Sequence, residues 1–461
     1  MKHTVKKVLS LFCAAIIVMG FAGCKSNQEE RITAYQIAVQ HGFVGTEEEW
    51  LQSLKGANGK DAEQIKINDL YEAAQKAGYK GSFLDFLKDY VQLDVTPNND
   101  TTTIAENMFS VVRINCGFKK TTQVSGGWMG STTEEVVYTL AGSGVIIDIN
   151  KEAGNATIIT NYHVVYDHES NTSTHISDSI YVYPYGAYNG YDVATGKDED
   201  GEGIKARFVG GAMDYDIAIL QIEGSEYIRK HYVSAAKIGD SNQVKVGEKV
   251  YVIGNPDNDG ISVTGGLISV ESEYIMMHST DGKKREVIYR VMRTDAAINP
   301  GNSGGALFNA YGQLIGIPNA KHKEDGVDNI AYALPITSAQ HLWNNILDNG
   351  GVLKCATLGI KSALTDTDAD LVNGEVVWKE KNVVTQVIAN SLAYGKIKVG
   401  DVLLSATFKG EKLDIQRGYY LNDLLLDVRK GDSLTLTLLR DGSEIERTFT
   451  FDQDKYFTEM S

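Results

Sequence analysis

Between about residues 104 and 340, short apolar runs alternate with Gly, Asn and Asp turns. The runs include Val111-Val112-Arg113-Ile114, Val145-Ile146-Ile147, Thr157-Ile158-Ile159, Ile217-Ala218-Ile219-Leu220 and Val250-Tyr251-Val252-Ile253. Many short strands at this spacing predict an antiparallel barrel or sandwich. Helical spacing follows at Ser338–Leu347, and Asn349-Gly350-Gly351 stops it. A second β-rich stretch opens at Thr357-Leu358-Gly359-Ile360 and runs through Val383–Val387 and Lys398–Leu404. It holds a helix near Tyr420–Val428 and ends in a hairpin pair over 435–451.

Upstream the pattern is helical and duplicated. At an offset of 36, Tyr35, Ala38, Gly42, Gly45 and Leu51 return as Tyr71, Ala74, Gly78, Gly81 and Leu87, and Trp50 returns as Phe86. A capping box, Thr46-x-x-Glu49, opens the second helix of the first copy, and Ser82-x-x-Asp85 is its weaker counterpart. The module spans 32–92, and its aromatics read as a small core. A spacer and a partner-docking role both stay open. Residues 93–103 read as a linker.

Composition narrows the class. Hydrophobic residues at 43% and charged residues at 23% are ordinary globular usage, which excludes long disordered or fibrous structure. A net charge of −16 argues against nucleic acid as a partner. Four cysteines cannot form a disulfide framework. Cys116 and Cys355 stand 239 residues apart, and the spacing gives no reason to pair them.

The first residues read as an address. Lys2, Lys6 and Lys7 precede the apolar run Val8–Phe21, 14 residues and too short for a comfortable membrane span. Phe21-Ala22-Gly23-Cys24 follows and resembles the lipobox of bacterial lipoproteins. That resemblance implies removal of residues 1–23, lipidation of Cys24 and attachment to the extracytoplasmic face of the cell membrane. Loss of the three lysines leaves 41 basic against 60 acidic residues, a net of −19.

Three short motifs carry chemistry. Thr160-Asn161-Tyr162-His163 ends a strand with a histidine; Asp214-Tyr215-Asp216 places aspartates before an apolar strand; Asn299-Pro300-Gly301-Asn302-Ser303-Gly304-Gly305 sets a serine in a glycine-rich turn. A serine hydroxyl needs a base to become a nucleophile, and the base needs a carboxylate to fix its tautomer. Glycines let backbone amides converge on a developing oxyanion, with Gly301 and Ser303 as candidates. Each motif alone is commonplace. His168, His175 and His231 lack such context and read as surface residues, and no histidine spacing suggests a metal.

In the order His163, Asp216, Ser303, with gaps of 53 and 87 residues, the motifs resemble the chymotrypsin-type arrangement. Gly142-Ser143-Gly144-Val145-Ile146, Gly254-Asn255-Pro256 and the sequence around Ser303 resemble the HtrA/DegP family. The resemblance implies a mainly β fold, with a protease domain over 104–349 made of two six-stranded barrels, about 104–222 and 231–336, and the site between them. It selects Asp216 over Asp214 as the acid and implies no cofactor. Asn302 stands where digestive relatives carry an aspartate that pairs with a freed N-terminus, so activation by cleavage is not expected. Ala297, six residues before the serine, with Ile298, Ile315 and Ile317, implies an apolar specificity pocket of modest size. The segment Lys119–Thr139 reads either as a regulatory loop or as a hairpin extension.

The tail over 352–455 resembles a PDZ domain, in which amides of Leu358-Gly359-Ile360 hold a peptide's C-terminal carboxylate while the peptide adds to a sheet edge. Leu364–Lys381 departs from the compact pattern. The combined expectation is a membrane-anchored serine endopeptidase acting on misfolded exported proteins, trimeric by resemblance. Its rivals are a peptide-binding chaperone or adaptor and a processing protease for one partner.

Overall fold

The computed structural model describes residues 100–125, 131–283, 285–319, 330–372 and 375–460. The signal segment, Cys24, the duplicated module and Gly126-Gly127-Trp128 lie outside the described residues. The described chain opens with helix α1, Asp100–Met108.

The apolar runs form strands with both faces covered. Strands β1 (Val111–Ser125), β2 (Ser131–Asn150), β3 (Asn155–Thr160) and β4 (Ser179–Pro184) are followed by a two-residue ladder, β5 (Tyr191–Asp192) with β6 (Lys197–Asp198). Then come β7 (Ile204–Ala212) and β8 (Ile217–Ile222). Six of them close a barrel in the order β1-β2-β3-β8-β7-β4. Side chains alternate across a strand, which explains why the runs are continuously apolar. Ala218, Leu220 and Ile222 fill the first barrel with Val112, Ile114 and Ile158. Ile217 and Ile219 face outward, into a cluster shared with the second barrel.

After a short helix α2 (Tyr162–Val165) in the first barrel and α3 (Glu226–Lys230) beyond it, the second barrel is built from β9 (Lys237–Ile238), β10 (Lys249–Gly254), β11 (Ser262–His278), β12 (Glu286–Thr294), β13 (Ala306–Asn309), β14 (Gln313–Pro318) and β15 (Ala331–Pro335). Six of these form a ring, because β13 pairs with both β10 and β14, and β9 is a parallel addition on β14. Val250, Val252, Met292 and Leu307 fill its interior. Helix α4 (Ile336–Asp348) buries Ile336, Ala339, Leu342, Trp343 and Ile346 in the shared cluster. It ends as its sequence requires: Gly350 and Gly351 adopt positive φ, and Gly351 N–H donates to the Ile346 carbonyl at 2.8 Å.

The C-terminal strands are β16 (Leu353–Ala356), β17 (Ile360–Val372), β18 (Glu375–Val387), β19 (Val402–Phe408), β20 (Glu411–Asp414), β21 (Ser433–Arg440), β22 (Ser443–Thr450) and β23 (Phe457–Met460), with helix α5 (Tyr420–Asp427) before β21. One sheet runs β17-β18-β19-β21-β22, so β17 is an edge strand. The β21–β22 turn is Asp441-Gly442, both at positive φ, which matches the twist of a two-residue hairpin.

The segments Lys119–Thr139 and Leu364–Lys381 both lie in extended hairpins. Lys119–Ser125 pairs in register with Ser131–Val137, and Tyr138 Oη donates to Asp167 at 2.7 Å. Likewise Leu364–Val372 pairs with Glu375–Asn382. Cys116 is a free thiol buried in the first barrel, and Cys355 is free beside Met460.

Candidate active site

The turn after β3 delivers the histidine. In the single helical turn α2, Tyr162, Val164 and Val165 go into the core, which leaves His163 half-buried at the surface of the cleft. Asp216 precedes β8 with φ 53° and ψ 42°, a left-handed conformation that aspartate tolerates better than most residues. Its carbonyl accepts from Tyr162 N–H at 3.1 Å and from Asn161 Nδ2 at 2.9 Å, which pins it against α2. The Asp216 carboxylate is fully buried. Its Oδ2 lies 2.8 Å from His163 Nδ1, and its Oδ1 accepts from His163 N–H at 3.0 Å. Asp214, the rival acid, is turned away and paired with Arg285 through both carboxylate oxygens.

The serine turn comes from the second barrel and is stitched to the first. Ser143 N–H donates to the Ser303 carbonyl at 2.9 Å, and Ser143 Oγ donates to the Gly301 carbonyl at 2.7 Å. Gly304 sits at φ 79°, so close to β3 that a Cβ there would lie 2.2 Å from Thr160 Oγ1 and 2.9 Å from Asn161 N. Ser303 is thus held beside the strand end that leads to His163. Gly301 has φ 96°, and its added Cβ would meet the Asn255 carbonyl at 2.2 Å. The Pro300 carbonyl accepts from Asp257 N–H at 2.9 Å. Asn302 is buried against Gly254.

Three residues join this site that the motifs named only as flanks or not at all. Ser143 and Asn161 are the first two. The third is Asn319, just past β14, whose Nδ2 donates to Asp216 Oδ2 at 2.9 Å. No local pattern marks it, because its role comes from a β14 end that meets β8 across the barrel interface. The Pro318 carbonyl beside it accepts from Gly304 N–H at 3.1 Å. Behind the acid lies Tyr289, a buried phenol whose pKa is pushed up by burial and by the nearby Asp216 and Asp214 charges.

The other anticipated residues are scattered more widely. Ala297 is exposed, and its carbonyl accepts from Thr264 Oγ1 at 2.8 Å. Ile298 packs against the cluster that contains Ile315, whereas Ile317 belongs to the cluster between the barrels. In the C-terminal sheet Gly359 has φ 76°, Leu358 is buried, and Ile360 begins β17. His168 is half exposed near Asp167, His175 Nδ1 lies 3.0 Å from the Ser170 carbonyl, and His231 stacks on Tyr227.

Comparison with known proteins bears on the family. The model of the trypsin-like peptidase domain matches residues 142–317, a span that holds His163, Asp216 and Ser303. "Serine protease Do-like HtrA" of Bacillus subtilis (strain 168) is 30% identical over 336 residues, covering 71% of this chain and 67% of the relative. "Serine protease Do-like HtrB" of the same organism is 34% identical over 65% of this chain and 59% of its own length. "Periplasmic serine endoprotease DegP" of Escherichia coli (strain K12) is 33% identical over 66% of this chain and 55% of its own length. The chain thus spans between about half and two thirds of the length of these relatives. Among solved structures, "HtrA-type protease AlgW with tripeptide" is 24% identical, covering 79% of this chain and 98% of that one at a TM-score of 0.48. With a barrel pair of the chymotrypsin type and relatives of this kind, the chain belongs to the HtrA/DegP family of trypsin-like serine endopeptidases.

Proposed function

We propose that this chain hydrolyses peptide bonds with His163 as general base, Asp216 as the carboxylate that orients it and Ser303 as nucleophile. The observation that carries the reading is the buried Asp216 carboxylate 2.8 Å from His163 Nδ1. His163 Nε2 takes the Ser303 proton as Oγ attacks the peptide carbonyl, and Asp216 offsets the imidazolium charge that forms. The proton passes to the leaving amine as the C–N bond breaks. Water, activated by the same histidine, then releases the acyl group. Amides of Gly301 and Ser303 stabilise the tetrahedral oxyanion. Support for that assignment comes from the Pro300 and Asn302 carbonyls, which share peptide units with those amides and accept elsewhere, from Asp257 N–H and Gly305 N–H. Ala297, standing where an acid would give Lys or Arg a counter-charge, favours small aliphatic side chains at the cleaved position.

The region 352–455 acts in this proposal as a PDZ-like peptide binder, with Leu358-Gly359-Ile360 at the ligand carboxylate and the free edge of β17 taking the peptide. Lipidated Cys24 tethers the chain outside the cytoplasm. Its substrates are misfolded or damaged exported proteins, and the assembly is a trimer by family resemblance. The test is turnover of unfolded casein by the wild-type and Ser303→Ala proteins, with fluorophosphonate labelling in parallel. Labelling and cleavage that vanish in Ser303→Ala are expected. A wild type that neither labels nor cleaves, with or without added peptide, defeats the proposal.

A further inference from the structure

The groove between β17 and α5 does not stop at the C-terminal sheet. It continues into a cavity of about 710 Å³ against the barrels. Ser362 and Leu364 of β17 line one side, and Leu425 of α5 lines the other. The back wall is made of Tyr215 and Ile217, the two neighbours of Asp216, together with Tyr289 of the second barrel.

Two features of this cavity point to a ligand. Asn382 and Tyr289 line it while only 3% and 2% exposed, and Asn382 Nδ2 and Tyr289 Oη have no hydrogen-bond partner among the described residues. Buried donors of this kind are ordinarily satisfied. Both can donate to a carbonyl oxygen. In addition, β17 is an edge strand whose side chains are exposed from Lys361 to Val372, so an extended chain can pair there. In its lining Arg290 and Asp423 neutralise each other at 2.9 Å. The other lining side chains are uncharged, mostly aliphatic and aromatic with Ser338, Ser362 and Asn422 among them, which disfavours a charged side chain.

We propose that this cavity is a selectivity subsite for an extended peptide, taking an uncharged apolar side chain several residues upstream of the peptide's C-terminus while Asn382 Nδ2 and Tyr289 Oη donate to its backbone carbonyls. The proposal rests on the peptide-groove reading and adds which side chain the groove selects and that the barrels supply part of the pocket.

The test uses two fluorescein-labelled decapeptides of glycine and serine ending in valine, with leucine or lysine at the fourth position before the end. Anisotropy titrations are made with the full mature protein. The leucine peptide binds at least about tenfold more tightly than the lysine peptide. Tyr289→Phe weakens the leucine peptide about tenfold while leaving Tm unchanged or higher, since the hydroxyl is unpartnered without ligand. Asn382→Leu provides the second variant, with the same expected loss of affinity. Gly359→Val, which forces a side chain into positive φ and against Ser391 Cβ, reports on the carboxylate loop separately. Equal affinities for the two peptides, or unchanged binding in both Tyr289→Phe and Asn382→Leu, overturn the subsite. If binding is nonetheless lost in Gly359→Val, the groove reading survives that failure. Binding of neither peptide to wild type, or full binding by Gly359→Val, removes the groove reading and the subsite together.

Discussion

At the scale of single residues, the catalytic reading depends on how one carboxylate is held. Asp216 accepts from His163 N–H, His163 Nδ1 and Asn319 Nδ2 while buried. Asp216→Asn keeps the shape but favours the wrong imidazole tautomer, and kcat on a peptide substrate is expected to fall about 10⁴-fold. Asn319→Ala removes one hydrogen bond to the charged group, and kcat is expected to fall about tenfold to a hundredfold at nearly constant KM. Asp214→Asn breaks only the pair with Arg285, so steady-state kinetics are expected to stay within about twofold of wild type.

At the scale of elements, the decisive contacts are strand ends and helix faces. The Gly304 turn fits against β3 only without a side chain, at positive φ and with Thr160 Oγ1 and the Ser143 carbonyl in the way. Gly304→Ala is expected to cost several kcal/mol in chemical denaturation and to abolish fluorophosphonate labelling. Elsewhere α4 and α5 are joined by His341 and Asp427, 2.8 Å apart. Burial lowers the His341 pKa, but the hydrogen bond and charge of Asp427, with Asp423 nearby, outweigh it and leave the pKa raised. A raised histidine pKa adds stability that is fully present below the unfolded value of about 6.5 and is lost as pH rises through the folded value. The contribution of this partly exposed pair is about 1 kcal/mol or less. His341→Ala is expected to lower Tm at pH 5.5 more than at pH 8.5, and equal losses at both values would contradict the assignment.

On the scale of the whole molecule, Thr96–Ser461 is one compact unit, and Leu353 and Leu426 lie in the same apolar cluster as the two barrels. Arg290 of β12 meets Asp423 of α5, and Ser338 of α4 donates to the same carboxylate at 2.9 Å. Asn345 of α4, fully buried, donates to the Lys354 and Leu426 carbonyls. Arg290→Ala strands Asp423 in a low-dielectric contact, at an expected cost of about 3 kcal/mol. Calorimetry of that variant is expected to separate C-terminal melting from barrel melting. No described helix is long and apolar enough to cross a membrane.

Much of this organisation is written locally. Continuous apolar runs, turn glycines and the stop after α4 specify strands and helix ends through sterics and burial, which act over a few residues. The order of the histidine, aspartate and serine motifs likewise names the chemistry, because those residue types suit it wherever they meet. Residue type alone leaves Asp214 and Asp216 equivalent before the same strand; the family pattern selects Asp216, and the fold gives the physical reason, since only its carboxylate faces α2. Folding also had to recruit Ser143 and Asn319, whose hydrogen bonds to Gly301 and Asp216 cross 158 and 103 residues. The split of Ile315 and Ile317 between two clusters, and the cavity behind Asp216, arise from surfaces that only the packed barrels bring together. Local pattern carries no term for such contacts, because their free energy depends on the position of residues far away along the chain.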